Sequence, residues 1–415
     1  MIRLAAAFLT LLFAAPIVAE DWVDWRGPTG DGQAPEGATA PLKWSKTENV
    51  KWRVELDGPG NSTPVVVGKR VFLTHSPQGS KLRGLHCYDR ANGELLWKQE
   101  VEYAADEPTH KTNPYCSASP VSDGKLVVAW FGSAGLHGFD LDGNKLWQVD
   151  TGKVEHIWGY GSSPMLYKDL VIQLVGPGLN AYVAAYEKQT GKQVWRKEYP
   201  GMKSSKIDEF RGSWSTPVLH READGREVLL LSLPETLRAV DPLTGDDYWT
   251  CSGPSALVYT SPITTGSTVV TMCGYGGPAL AVTGGGMGDV TEDRRLWIHP
   301  KGNPQRVGSG VAVDGYVYIL NENAVALCLD AKTGERKWQK RLTDASSWSS
   351  MVHINGRLYV PAMSGKTIVL AADPTQCKVL AENDIGEMTR GSLAFSEGEA
   401  FLRTYNGLYC LSEKK

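Results

Sequence analysis

The sequence predicts an all-β protein, an eight-bladed β-propeller of four-stranded antiparallel blades closed by its N-terminal strand. Three observations predict it. A turn-and-tryptophan pattern recurs at Asp89–Trp97 (DRANGELLW), Glu187–Trp195 (EKQTGKQVW), Asp241–Trp249 (DPLTGDDYW) and Asp330–Trp338 (DAKTGERKW), with a copy one residue shorter at Asp140–Trp147 (DLDGNKLW). Weaker copies at Asp289–Trp297 and Asp373–Ala381 fall in register, the second without its Trp. A second signature, small residues leading into an apolar strand, occurs eight times: Ser62-Thr63-Pro64, Ser119-Pro120, Ser163-Pro164, Thr216-Pro217, Ser261-Pro262, Ser309-Gly310, Ser349-Ser350 and Gly391-Ser392. Repeats of roughly 40 to 50 residues with four strands each are propeller blades, and 45 Gly and 14 Trp suit a turn-rich β protein.

Each element follows in chain order. Residues 1–19 carry Arg3, an apolar run from Leu4 and a small residue, Ala19, before Glu20-Asp21, the pattern of a secretory signal peptide. Residues 20–43 (including DWVDWRGPTGDG) are an irregular lead lying over the domain, and residues 44–415 form the propeller. The first strand, Asn49–Val54, alternates polar and apolar residues. The sixth copy shows a whole blade: Gly310–Val313, Tyr316–Leu320, Val325–Leu329, then Arg336–Gln339 after a Thr-Gly turn. The eighth unit ends after three strands, so the orphan strand around Trp52 is expected to complete it and remove the open sheet edges. In each turn the acid accepts amides two residues on, Gly334 and its equivalents take positive φ, and the Trp packs between blades.

Composition narrows the function. With 43 Lys+Arg against 46 Asp+Glu there is no basic field for nucleic acid. No stretch after the leader approaches the roughly 20 apolar residues of a spanning helix. Seven Cys leave at least one thiol unpaired; Cys87, Cys328 and Cys410 occupy matching strand positions and read as buried small hydrophobes. No zinc-type or haem-type Cys spacing is present.

The Thr-Gly turns lie on one face of the disc; the long loops 102–116, 150–161, 199–213, 298–307 and 384–390 lie on the other, where binding groups concentrate. Residues just before the innermost strands converge on the axis: Asn61, Tyr115, Trp158, Tyr160, Arg211, Trp214, Tyr259, Arg306, Trp348 and Arg390. Three arginines from different loops could meet an anionic ligand, and indole faces could stack a planar or sugar ring. The same side chains could instead plug the channel. Among loop histidines (His110, His156, His299, His353), His156 beside Trp158 is the candidate general base or ligand, against a merely solvated role. The pairs Asp106-Glu107 and Asp208-Glu209 are solvated charge or, more sharply, calcium donors. No metal site is assigned.

The D-x-x-T-G-x-x-x-W turn with its small-residue lead-in resembles the pyrroloquinoline-quinone-like (PQQ-like) β-propeller repeat family over residues 44–415. That family includes quinoprotein alcohol dehydrogenases and the periplasmic propeller subunit of outer-membrane protein assembly; Trp25–Gly32 further resembles the lead of secreted bacterial members. The resemblance implies a periplasmic or secreted protein. This chain lacks the adjacent cysteines on which many quinoproteins stack their cofactor, and their calcium ligands find no match here. The expectation is a non-enzymatic monomer binding a protein or a small anionic or sugar ligand at its loop face. The alternative is a PQQ- and calcium-dependent oxidoreductase of alcohol or sugar dehydrogenase type, and a carbohydrate lyase or hydrolase is a third class.

Overall fold

Strand burial explains why the sheets stack radially. Leu170–Val175 (LVIQLV) is buried at every position, whereas Lys145–Val149 and Gln193–Lys197 at the rim bury only Trp147 and Trp195. Central strands are covered on both faces by neighbouring blades, so they are continuously apolar; rim strands need one anchor. The computed structural model describes residues 21–300 and 306–413, and the expected leader over 1–19 lies outside them.

Eight four-stranded antiparallel blades form a ring: 65–102, 121–149, 165–197, 218–252, 263–299, 311–341, 352–384, and 393–412 completed by Val50–Glu55. The N-terminal strand closes the eighth sheet by pairing Trp52 with Cys410 and Glu55 with Gly407. The sixth blade runs Val311–Val313, Tyr316–Leu320, Val325–Asp330 and Arg336–Arg341, within two residues of expectation.

Two belts bind blade to blade. The outer belt is made by the indoles. Trp52, Trp97, Trp147, Trp195, Trp297 and Trp338 each donate Nε1–H to a backbone carbonyl of the next blade's turn, from Arg90 at 2.8 Å to Asp373 at 2.8 Å. The turn glycine lies against the same ring: Gly334 has φ +73° beside Trp297. The fifth blade departs from the expected repeat. Asp289–Trp297 is not a tight turn, because Gly284–Gly286 carry the chain outward, Gly288-Asp289 pairs with the fourth blade's rim strand, and a short helix, Thr291–Arg294, follows. Trp249 therefore finds no turn carbonyl and donates to Glu222 Oε1 at 2.6 Å.

The inner belt explains the eight small-residue signatures. The amide of Thr63 donates to Ser119 Oγ, and the same bond repeats from Ser119 to Ser163, to Thr216, to Ser261, to Ser309, to Ser350, to Ser392 and back to Thr63 Oγ1. Seven links measure 2.8–3.0 Å and the closing one 3.3 Å. Each strand start thus satisfies a buried amide that has no sheet partner there.

The lead segment crosses the channel beneath this collar. Trp22 bridges Val66 and the carbonyl of Val23 accepts the amide of Ser122, both at the first two blades. Arg26, 1% exposed, donates to Gly310 O at 2.7 Å and Ser309 O at 3.4 Å, and Gly32 O accepts the amide of His353. All seven cysteines are free thiols, six of them buried.

Candidate functional site

Above the collar the innermost strands widen into a funnel. Side chains two residues apart share a face of an extended strand, so each collar hydroxyl has a companion two positions upstream. Both sets line one cavity of about 350 Å³. The upper tier reads, blade by blade, Asn61, Ser117, Gly161, Trp214, Tyr259, Val307, Trp348 and Arg390. Trp25 of the lead reaches the same cavity, as do His110, Asn113, Trp158, Tyr275 and Glu322 from loops.

The tier is lopsided. Blades one to three contribute amides, hydroxyls and a glycine. Blades four and five contribute an aromatic wall in which Tyr259 meets Trp214 edge-on at 5.1 Å, and Trp158, from the loop ahead of blade three, extends it by lying parallel to Tyr275 at 5.7 Å and 7°. Phe210, 56% exposed, caps Trp158 edge-on at 4.9 Å. In an eight-membered ring, blade eight stands opposite blade four, so Arg390 faces Trp214 across the axis. The Arg390 guanidinium lies over Trp348 at 4.8 Å and Tyr405 at 5.4 Å. It forms no ion pair or hydrogen bond among the described residues, and burial lowers its pKa against the pull of Glu322.

Of the residues predicted to converge, Asn61, Trp158, Trp214, Tyr259, Trp348 and Arg390 line the cavity. The others are occupied elsewhere. Arg211 pairs with Glu235 at 2.8 Å and Glu209 at 3.4 Å and donates to Gly201 O. Arg306 is buried outside the lining; desolvation pulls its pKa to about 10. His156 is wholly buried behind the wall. One ring nitrogen donates to Glu209 O at 3.0 Å and the other accepts the amide of Trp158 at 3.2 Å, and burial lowers its pKa. With both nitrogens committed to backbone, it props Trp158 and Trp214 and leaves no lone pair for a proton transfer.

Tyr115 stacks on Arg83 at 3.9 Å, and the buried Tyr160 hydroxyl accepts the Cys116 amide at 3.1 Å. Glu107 is held by Arg83 at 3.2 Å, while Asp106 and Asp208 remain exposed. His110 lines the funnel with Nδ1 2.7 Å from Thr112 Oγ1. Phe210, Tyr275, Glu322 and Trp25 escaped sequence reasoning: three are single residues in irregular loops, and Trp25 sits in a segment without repeat spacing.

A quinone with calcium does not fit this lining. Calcium takes 6–8 oxygen ligands, carboxylates foremost, and among the described residues Glu322 is the one carboxylate of the cavity, beside the amides of Asn61 and Asn113. No three His, Cys, Asp or Glu side chains come together for a metal among the described residues. Among the described residues the quinone's three carboxylates would meet one cation, Arg390.

The profile described as outer membrane protein assembly factor BamB matches residues 45–273 and 236–384. Quinohemoprotein alcohol dehydrogenase ADH-IIG of Pseudomonas putida is 27% identical over 177 residues, covering 38% of this chain and 23% of that protein. The chain spans less than half the length of the curated relatives it matches. BamB from Moraxella catarrhalis superposes with a TM-score of 0.62 at 15% identity, covering 88% of this chain and 96% of that one. A europium-containing methanol dehydrogenase gives 0.66 at 12% identity, covering 93% and 90%. These structures share the fold. The matched profile spans most of the ring, and the chain belongs to that family, the PQQ-like β-propellers of the outer membrane protein assembly factor BamB type.

Proposed function

We propose that this protein is an exported, non-enzymatic binding propeller that captures a ligand or partner segment in the funnel of its loop face. The carrying observation is the two-tier lining. A uniform hydroxyl collar sits under an upper tier that is aromatic on one side and cationic on the other. Such a surface offers stacking and one charge contact, the ingredients of recognition. The chemistry of the lining supports a binding role: among the described residues its one imidazole, His110, faces Thr112. Export is supported by the N-terminal leader pattern.

The test is direct. Mature protein incubated with PQQ and calcium, then dialysed, is assayed for bound quinone by absorbance and for dye reduction with alcohols and sugars. The expected result is neither. Stoichiometric quinone with substrate-dependent dye reduction would establish the oxidoreductase reading in its place.

A further inference from the structure

We infer that the funnel's ligand is an acidic saccharide, a pyranose carrying a carboxylate, with its ring face on Trp214 and Tyr259 and its carboxylate at Arg390. This rests on the binding-propeller reading above. Three features of the lining converge on it.

The first is the wall. The C–H face of a pyranose carries slight positive charge and suits the negative faces of indole and phenol rings. Trp214 is fixed for this role, since its Nε1 donates to Gly159 O at 3.0 Å. The second is the charge. Arg390 stands directly across the ring with its guanidinium uncommitted among the described residues and its Nε buried without a partner. A guanidinium binds a carboxylate through two parallel N–H donors. With Glu322 opposing it in the same cavity, the balance suits one negative charge and disfavours a polyanion.

The third feature selects hydroxyls. Asn61 Nδ2 donates to Thr112 O at 3.0 Å, which fixes the amide and leaves Oδ1 buried without a donor. Trp348 Nε1 is a buried donor without an acceptor. The eight collar hydroxyls, none more than 5% exposed, each accept one amide, and their own protons have no acceptor among the described residues. Hydroxyls both donate and accept, so a polyhydroxylated ring answers unmatched donors and acceptors together. Unmade bonds of this kind are costly once buried.

Calorimetric titration of the full mature chain with monomeric galacturonate, its methyl ester and neutral galactose tests the inference at about 0.1 M salt. The acid should bind about 10-fold more tightly than either uncharged form, equivalent to ~1.4 kcal/mol. Arg390→Gln should erase that difference, and Arg390→Lys should restore part of it. Trp214→Ala should weaken all three. The ester needs no altered protein, so it stands even if a variant misfolds. Equal binding of acid and ester, or no binding of any of the three sugars, overturns the inference. If a non-saccharide ligand binds instead and Trp214→Ala releases it, the binding propeller survives and the acidic saccharide does not. Quinone turnover removes both.

Discussion

His86 lies between blades one and eight, its ring 4.9 Å from His75, with Nδ1 3.2 Å from the Tyr88 hydroxyl and Nε2 3.6 Å from Glu100. Burial, followed by repulsion from His75, pulls its pKa to about 4 while Glu100 opposes. His75 is lowered as well, by burial and then by Arg403, against its contact with Asp57 at 2.5 Å. An unfolded imidazole protonates near about 6.5, so unfolding takes up protons between there and pH 4. The stability these rings contribute is complete above that range and drains as pH falls through it. Melting temperature followed against pH should fall in this window, and His86→Gln should flatten the slope. Half-buried Asp24 works in the opposite sense: desolvation raises its carboxyl to about 7, so its contribution is present at low pH and lost as pH rises to neutrality. At this scale the sequence was partly legible. Trp214, Tyr259 and Arg390 stood out because they precede a strand at fixed spacing, whereas Arg211 looked equivalent and is drawn off by Glu209 and Glu235. That competition is set by loop conformation, which spacing does not encode.

At the scale of the element, the turn and the rim strand act as one joint. Gly334 has φ +73°, and a Cβ there would meet the Trp297 ring at 2.6 Å. Gly315, at φ +84°, has nothing within 4 Å of the same position. Gly315→Ala should therefore cost about 1–2 kcal/mol, the left-handed strain alone, and Gly334→Ala measurably more, read as the difference between two urea titrations. The lead is a second element with a defined task. Arg26→Ala removes a buried guanidinium bonded to Ser309 O and Gly310 O, and amide exchange should quicken at His353, whose N–H is held by Gly32 O. The sequence revealed the turn because Asp, Gly and Trp each have a local reason to recur. It left the lead as cover over the domain, since nothing in DWVDWRGPTGDG says that it runs under the collar.

At the scale of the whole molecule, the seam between blades eight and one is stitched by charge. Glu399 meets Arg90 at 2.8 Å and Lys51 at 2.5 Å, and Arg90 also meets Glu397 at 3.0 Å. Deleting residues 50–55 removes a strand, Trp52 and Lys51 together. Unfolding should then lose its single cooperative transition in calorimetry, because a ring converted to an open stack has two free ends. Ring number and closure were legible because both depend on counting; the collar was not, because Ser and Thr before a strand look like punctuation until their hydroxyls are placed.

The collar carries a further consequence. The residue that joins each blade to the next and the residue that faces a guest are separated by one position, and the closed circuit of eight amide-to-hydroxyl links runs through the first. The upper tier can therefore be rewritten on a fixed carriage, with neighbouring letters such as Trp214 and Tyr259 or Trp348 and Arg390 read together. Exchanging Ser117 for Trp, or Tyr259 for Arg, should redirect what the funnel accepts while leaving the melting temperature near its original value. A lineage built on this ring can change its clientele by single substitutions, without relearning how to fold.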